Sequence, residues 1–222
     1  MPQPSASSTA SATPAGPRLE AVELMMERGD RRLFSGLSFD LAGGTLLHVE
    51  GRNGSGKTTL LRAICGLLLP SEGEIRWNGE NIRSLREEYG KEVLYFGHLN
   101  GIKHDLSGLE NLRISATLDG DRVDGEQVWG ALQRMGLAGF EDLPTRVLSQ
   151  GQKKRVALAR LLLSSARLWV LDEPFTALDV GAVELLQTLI AEHVARGGMA
   201  IITTHQEVAL TSGQIRRLRL GA

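Results

Sequence analysis

Residues 45–58 read Thr45-Leu46-Leu47-His48-Val49-Glu50-Gly51-Arg52-Asn53-Gly54-Ser55-Gly56-Lys57-Thr58. The first six read as a short, mostly buried strand. Gly51 to Thr58 fit the spacing G-x-x-x-x-G-K-[ST]. Beyond them Lys57 to Leu67 reads as a helix, ended before Pro70. A strand, a glycine-rich turn and a helix start, in that order, make a phosphate cradle. The glycines let backbone N–H groups turn inward, and the helix start adds partial positive charge. Lys57 reaches the β- and γ-phosphates, and the Thr58 hydroxyl is placed to ligate Mg²⁺. Gly51, Arg52, Asn53, Gly54, Ser55, Gly56, Lys57, Thr58 and the following Thr59 are therefore candidate nucleotide-binding residues.

Nucleotide binding alone does not define a reaction. A second segment, Leu168-Trp169-Val170-Leu171-Asp172-Glu173-Pro174, is an apolar strand ending in two acids. Asp172 at the strand end is the candidate Mg²⁺ holder, and Glu173 is the candidate to polarise an attacking water. Paired with the phosphate loop, this reads as a site for phosphoryl chemistry. The glycine that usually follows the metal Asp in GTPases is missing, and no guanine-specificity motif is present.

The rest of the chain fits the same architecture. Residues from Leu19 (LEAVELM) and Leu33 to Leu41 alternate as strands, before a turn at Ala42-Gly43-Gly44. Glu74 to Trp77 is a short strand closed by Asn78-Gly79. The stretch from Asp105 to Thr145 is mostly helical in pattern. Lys153 to Ser164 reads as a strong helix, Val180 to Ala195 as another, Met199 to Thr203 as a buried strand and Ile215 to Leu220 as a final edge strand. Alternating strands and helices imply a mostly parallel α/β sheet.

Composition narrows the function classes. The 222 residues carry 25 basic and 26 acidic side chains, a net charge of −1, so the basic footprint of a nucleic-acid reader is missing and no nucleic-acid partner is expected. One cysteine, Cys65, excludes an internal disulfide. No run of 18 apolar residues is present, so the chain does not span a membrane by itself. Residues 1–17, with four of the seven prolines and no charged side chain, read as a disordered tail without the basic start and apolar core of a signal peptide. Residues 18–222 read as one domain, with a helical subdomain at about 105–150.

Leu148-Ser149-Gln150-Gly151-Gln152, followed by a basic helix, resembles the signature motif of ATP-binding cassette (ABC) ATPases, usually L-S-G-G-Q. Thr176-Ala177-Leu178-Asp179 resembles that family's D-loop, and Thr203-Thr204-His205 its switch histidine. The resemblance covers Leu19 to Leu220. It implies a P-loop NTPase fold of the ABC type: a mostly parallel core sheet, an N-terminal antiparallel β part and an inserted helical subdomain. It also implies ATP and Mg²⁺ as ligands, and Glu173 and His205 as catalytic residues. Two head-to-tail copies would bury ATP between them, with Ser149, Gln150, Gly151 and Gln152 of one facing the nucleotide of the other and Asp179 in the D-loop. Three positions depart from the pattern. Gln150 replaces the first signature glycine, His98 stands at the Q-loop position, and Arg28 stands where an aromatic usually stacks on adenine, 23 residues before Gly51. A guanidinium also stacks on a base.

Residues 95–112, Tyr95-Phe96-Gly97-His98-Leu99-Asn100-Gly101-Ile102-Lys103-His104-Asp105-Leu106-Ser107-Gly108-Leu109-Glu110-Asn111-Leu112, resemble the ATP-binding subunits of cytochrome c maturation transporters. In that branch Gln150 and His98 are ordinary traits. The resemblance implies an ATPase peripheral to the cytoplasmic face of a bacterial inner membrane. Its implied partners are an integral membrane subunit of the CcmB type, with CcmC-like and CcmD-like proteins nearby, in a step of haem delivery or export. The segment Gly97 to Asn111 is the candidate docking surface. The alternatives are a cassette serving another ABC transporter, or a soluble ABC ATPase acting on nucleic acid.

Other chemistry-bearing residues read as structural. Cys65 lies on an apolar helix face and is expected to be inert core. His48 is expected to be a satisfied structural histidine, His193 a helix-surface residue and Lys153-Lys154-Arg155 a solvated helix face. His98 and His104 lie in a polar loop, not the apolar pocket that a haem ligand needs.

Overall fold

The computed structural model describes residues 16–205 and 214–221. Positions 1–15 of the expected tail lie outside the described residues.

Two sheets organise the chain. The first is antiparallel, in the order β2(Arg31–Ala42)-β1(Arg18–Arg28)-β4(Glu72–Trp77)-β5(Glu80–Asn81). The second is parallel, in the order β6(Val93–Phe96)-β7(Leu168–Asp172)-β8(Met199–Thr203)-β3(Thr45–Gly51)-β9(Gln214–Leu220). The helices are α1(Lys57–Ile64), α2(Ile82–Leu85), α3(Glu87–Glu92), α4(Gly108–Asp119), α5(Gly125–Arg134), α6(Gln150–Leu158), α7(Arg160–Leu163) and α8(Val180–Ala195).

The parallel strands read as unbroken apolar runs because both of their faces are covered. Alternation along β7 sends Leu168 and Val170 to one side and Trp169 and Leu171 to the other. The first pair joins a core with Leu47, Val49, Leu60, Leu61 and the apolar face of β1. The second pair joins a core with Phe96, Leu132, Val156, Phe175 and Leu186, built largely from the helices. The central sheet is thus a shared wall between two cores. Its C-terminal edge carries Gly51, Thr203 and Asp172.

Local chemistry sets the helix starts. Ser107, Asp124 and Ser149 each cap a helix through their side-chain oxygens, and Glu110, Gln127 and Gln152 reach back to close capping boxes. The cap at Ser149 starts α6 at Gln150, three residues earlier than the expected Lys153. The expected single helix to Ser164 breaks at Ala159, whose N–H is shared between Arg155 and Val156 carbonyls at 2.9 and 3.2 Å, a tightened turn. Helix α1 stops at Ile64, not Leu67, because Gly66 adopts φ 71° and turns the chain away, leaving Leu67, Leu68 and Leu69 outside the helix. Val93–Phe96, to which the sequence pattern assigned no element, forms the edge strand β6. Strand β9 is the edge strand expected, paired parallel to β3. Among the described residues no helix is long and apolar enough to cross a membrane.

Candidate nucleotide site

Gly51 ends β3, and the chain turns through Arg52 to Gly56 into α1. Gly56 sits at φ 99°, and a Cβ there would lie 3.0 Å from the Phe34 ring and 3.2 Å from Leu33 Cβ. Only glycine combines that backbone conformation with such close approach from β2. Lys57 is 9% exposed. Its ammonium donates to the Gly51 carbonyl at 2.7 Å and to Arg52 O at 3.5 Å, and lies 3.3 Å from His205 Nε2.

Strand order brings the acids opposite. Parallel register aligns Val49 with Thr203, and Thr203 with Asp172. The Thr58 hydroxyl from α1 donates to Asp172 Oδ2 at 2.7 Å. The Thr203 hydroxyl donates to Asp172 Oδ1 at 2.7 Å and accepts from the Glu173 N–H at 3.0 Å. Asp172 is 4% exposed, so its charge is held by hydroxyls and not by bulk water. Glu173 has φ 51°, an uncommon conformation for a residue with a side chain. Its Oε2 accepts from the His205 N–H at 3.3 Å. Its Oε1 is buried and accepts no hydrogen bond among the described residues, with His205 Nε2 at 3.5 Å.

These groups line one cleft of about 340 Å³, with Arg28 and Leu33 on one wall, Asn53 to Thr59 (Ser55 apart) along the loop, and Asp172, Glu173 and His205 opposite. Ser55, which does not line the cleft, has a buried hydroxyl without a hydrogen bond among the described residues. Hence Arg28, Arg52, Asn53, Gly54, Gly56, Lys57, Thr58, Thr59, Asp172, Glu173 and His205, named from sequence, meet in space. The oxygen-only pair of Thr58 and Asp172 fits Mg²⁺, which prefers hard oxygen donors and is usually held by one or two protein ligands plus substrate phosphates. Among the described residues no cluster of three or more His, Cys, Asp or Glu forms a full cage.

The remaining expected residues lie elsewhere. Ser149, Gln150, Gly151 and Gln152 form the start of α6 and do not line this cleft. Asp179 caps α8, donated to by the Ala182 N–H at 2.9 Å, and pairs with Arg155. These contacts hold its carboxyl below the usual range. His98 is exposed beyond β6 and is not part of the cleft wall.

Four structural readings change. His193 is buried, 8% exposed, stacked on Trp169 at 3.9 Å between ring centroids, with Nε2 at 3.2 Å from the Arg167 and Met199 carbonyls. Burial lowers its pKa to about 4. Lys154 is buried as well, so the basic run is not a solvated face. His48 is only half satisfied: Nδ1 pairs with Glu50 at 3.4 Å while buried Nε2 has no hydrogen bond among the described residues. Thr203 also proves to be more than a strand residue, since its hydroxyl links both acids. Its signal was the equal length of the apolar runs before Asp172 and Thr203, which puts their ends side by side. Cys65 lies just past the end of α1, partly buried against the core and not within it, with its thiol pushed up by burial.

Residues 34–176 match the ABC transporter family. A solved structure titled an ATP-binding subunit of an ABC transporter superposes with TM-score 0.80 at 25% identity, over 92% of this chain and 88% of that one. A dimeric post-hydrolysis ATP-binding cassette with ADP and Pi shares the fold at TM-score 0.77 and 20% identity, over 92% and 97% of the two chains. The chain belongs to the ABC transporter family, as an ATP-binding cassette. Within it, the similar curated relatives are named cytochrome c biogenesis ATP-binding export protein CcmA. The Nitrosospira multiformis protein is 55% identical over 92% of this chain and 99% of its own length. The Escherichia coli protein is 50% identical over 91% and 96%.

Proposed function

We propose that this chain hydrolyses ATP as the energy-coupling subunit of a membrane transporter for c-type cytochrome biogenesis. The names of its relatives support the process, and one observation carries the chemistry. Glu173 lines the cleft with Lys57 and Thr58, and its buried Oε1 accepts no hydrogen bond among the described residues. In this reading Lys57 holds the β- and γ-phosphates. Glu173 takes a proton from the attacking water, oriented by His205. Arg28 stacks on the base. Thr58 and Asp172 would hold Mg²⁺, which neutralises phosphate charge. A positioned base of this kind contributes about 10²–10⁴-fold.

The signature residues Ser149, Gln150, Gly151 and Gln152 do not line this chain's own cleft, which supports a head-to-tail pair in which each copy completes the other's site. The D-loop residue Asp179 pairs with Arg155 of the same helix. The pair would sit peripherally on the cytoplasmic face of the inner membrane, against a CcmB-like subunit with CcmC-like and CcmD-like proteins, docking through Gly97 to Asn111. That loop is rigidly built, since Asn111 accepts from Lys103 N at 2.6 Å and donates to the carbonyls of Lys103, Leu106 and Ser107 at 2.8 to 3.2 Å.

The test is a haem stain of covalent c-type cytochromes in a strain lacking the chain, complemented with wild type or Glu173→Gln. Restoration by wild type alone is expected. A stain that persists in the deletion strain refutes the cytochrome reading. In parallel, purified Glu173→Gln is expected to bind Mg-ATP, hydrolyse it slowly and accumulate as a dimer, and Lys57→Ala to lose most nucleotide affinity. A monomer under saturating Mg-ATP refutes the shared site.

A further inference from the structure

Lys154, five residues into α6, is 8% exposed and has no carboxylate in salt-bridge contact among the described residues. Its ammonium donates instead to two backbone carbonyls, Glu173 O at 3.0 Å and Thr176 O at 2.7 Å, and lies 5.7 Å from the centroid of the Phe96 ring. A buried cation on neutral acceptors is costly to keep charged, and burial lowers this lysine's pKa to about 8 despite the nearby Glu173 charge. A contact of that cost is informative about what it holds.

What it holds is the segment between β7 and α8, whose backbone is strained. Glu173 has φ 51° and Ala177 φ 60°, neither a conformation that a side-chain-bearing residue prefers. The Glu173 N–H is fixed by the Thr203 hydroxyl at 3.0 Å. Lys154 fixes the same residue's carbonyl, so both peptide groups flanking the Glu173 side chain are pinned. Next to it, Arg155 pairs with Asp179 at the far end of the segment. The helix that starts at the signature residues thus grips, within one copy, the loop that aims the carboxylate.

We propose that Lys154 is a positioning residue for hydrolysis, which sets the direction of the Glu173 carboxylate by holding its backbone from the signature helix. This rests on Glu173 being the group that polarises water. Lys154 does not line the cleft, so nucleotide affinity should be indifferent to it.

The test is steady-state ATP hydrolysis by the full-length chain carrying Lys154→Met, which keeps the volume of the stem and removes the donors. Lys154→Arg, which keeps charge and donors, is the conservative companion. Expected for K154M is a kcat at least tenfold lower, with KM and Mg-ATP affinity within about twofold of wild type, and substantial recovery in K154R. In a Glu173→Gln background K154M should reduce the residual single-turnover rate no further, because the carboxylate it aims is already gone. A K154M kcat within twofold of wild type overturns the proposal. So does a K154M that weakens ATP binding in step with kcat, or that multiplies the loss of Glu173→Gln, since each marks a general structural effect. If Glu173→Gln itself turns over at the wild-type rate, the reading of Glu173 has failed. A slow E173Q beside a fast K154M fails Lys154 alone.

Discussion

Buried His193 makes the stability of this chain pH-dependent in a calculable way. Its ring lies against Trp169 with planes 7° apart, and Nε2 faces the carbonyls of Arg167 and Met199. Desolvation is the main cause of its lowered pKa, about 4 against an ordinary 6.5, with the Arg196 charge adding to it and the two carbonyls opposing. The folded state therefore favours the neutral ring. The stabilisation is complete above pH 6.5, the unfolded value, and is lost as pH falls through that value towards about 4. One pKa unit corresponds to about 1.36 kcal/mol. Between pH 7.5 and pH 5.0 the folded state should lose about 2 kcal/mol from this one group.

The perturbation is His193→Gln, whose amide keeps an N–H donor for the carbonyls and does not titrate. Urea unfolding, followed by fluorescence, is measured for both proteins at pH 7.5 and 5.0. With a urea slope of about 2 kcal/mol per M, wild type should lose roughly 1 M more in midpoint than H193Q over that interval. Other acid-sensitive groups are common to the two and cancel in the difference. Equal midpoint shifts in the two proteins would refute the argument, because a solvent-facing histidine has no pKa difference between folded and unfolded chains.

Three further perturbations probe other parts of the molecule. Gly73→Ala places a Cβ 2.3 Å from Val22 O and 2.4 Å from Glu23 O at φ 80°, so it should cost at least about 2 kcal/mol in urea unfolding; an unchanged midpoint would contradict the β1–β4 packing. Asn111→Ala removes the four hydrogen bonds that the Asn111 side chain makes to the Lys103–Ser107 loop and should cost about 2–3 kcal/mol, whereas Asn111→Asp keeps only the acceptor for Lys103 N and should be similarly unstable. Arg28→Trp offers a larger stacking face on the cleft wall and should lower the KM for ATP by roughly fivefold or more, from a stacking gain of about 1 kcal/mol or above. An unchanged KM would place the base elsewhere.

Most of the cleft was legible because its chemistry is contiguous in sequence. The phosphate loop needs strand, glycines and helix in succession, and Asp172-Glu173 follows the apolar run that must be a central strand. What escaped were contacts between distant segments. Thr203 links both acids only because β8 lies between β3 and β7, an adjacency that the equal lengths of LWVL and MAII allow but do not specify. Lys154 and His193 were misread for the same reason. A basic run and a histidine near a helix end look solvated until the opposing surfaces, Phe96 and the Glu173 loop in one case and Trp169 in the other, are placed against them. Boundaries failed where a single residue decides them, as at Gly66 and Ala159. The short strand β6 was missed because a four-residue apolar run carries little periodicity of its own.

The departure at Gln150 can be judged from the backbone. A glycine is required where φ is positive or where a Cβ meets a neighbour, and neither holds here. Gln150 is the first residue of α6, exposed, and outside the set of positive-φ positions. Gly151 is more confined, since a Cβ there would stand 3.5 Å from Ala177 O, at the edge of the D-loop segment. The N–H groups that make this helix start attractive to an anion belong to the backbone, and Ser149 with Gln152 fixes their direction through the capping box at 3.2 and 2.9 Å. A side chain at position 150 is exposed and takes no part in the capping box, while it raises helix propensity over glycine by about 0.5–1 kcal/mol. The segment that resembles the signature thus keeps the parts that backbone chemistry demands, a cap, a small second residue and a glutamine, and departs only at a position where this fold tolerates a side chain.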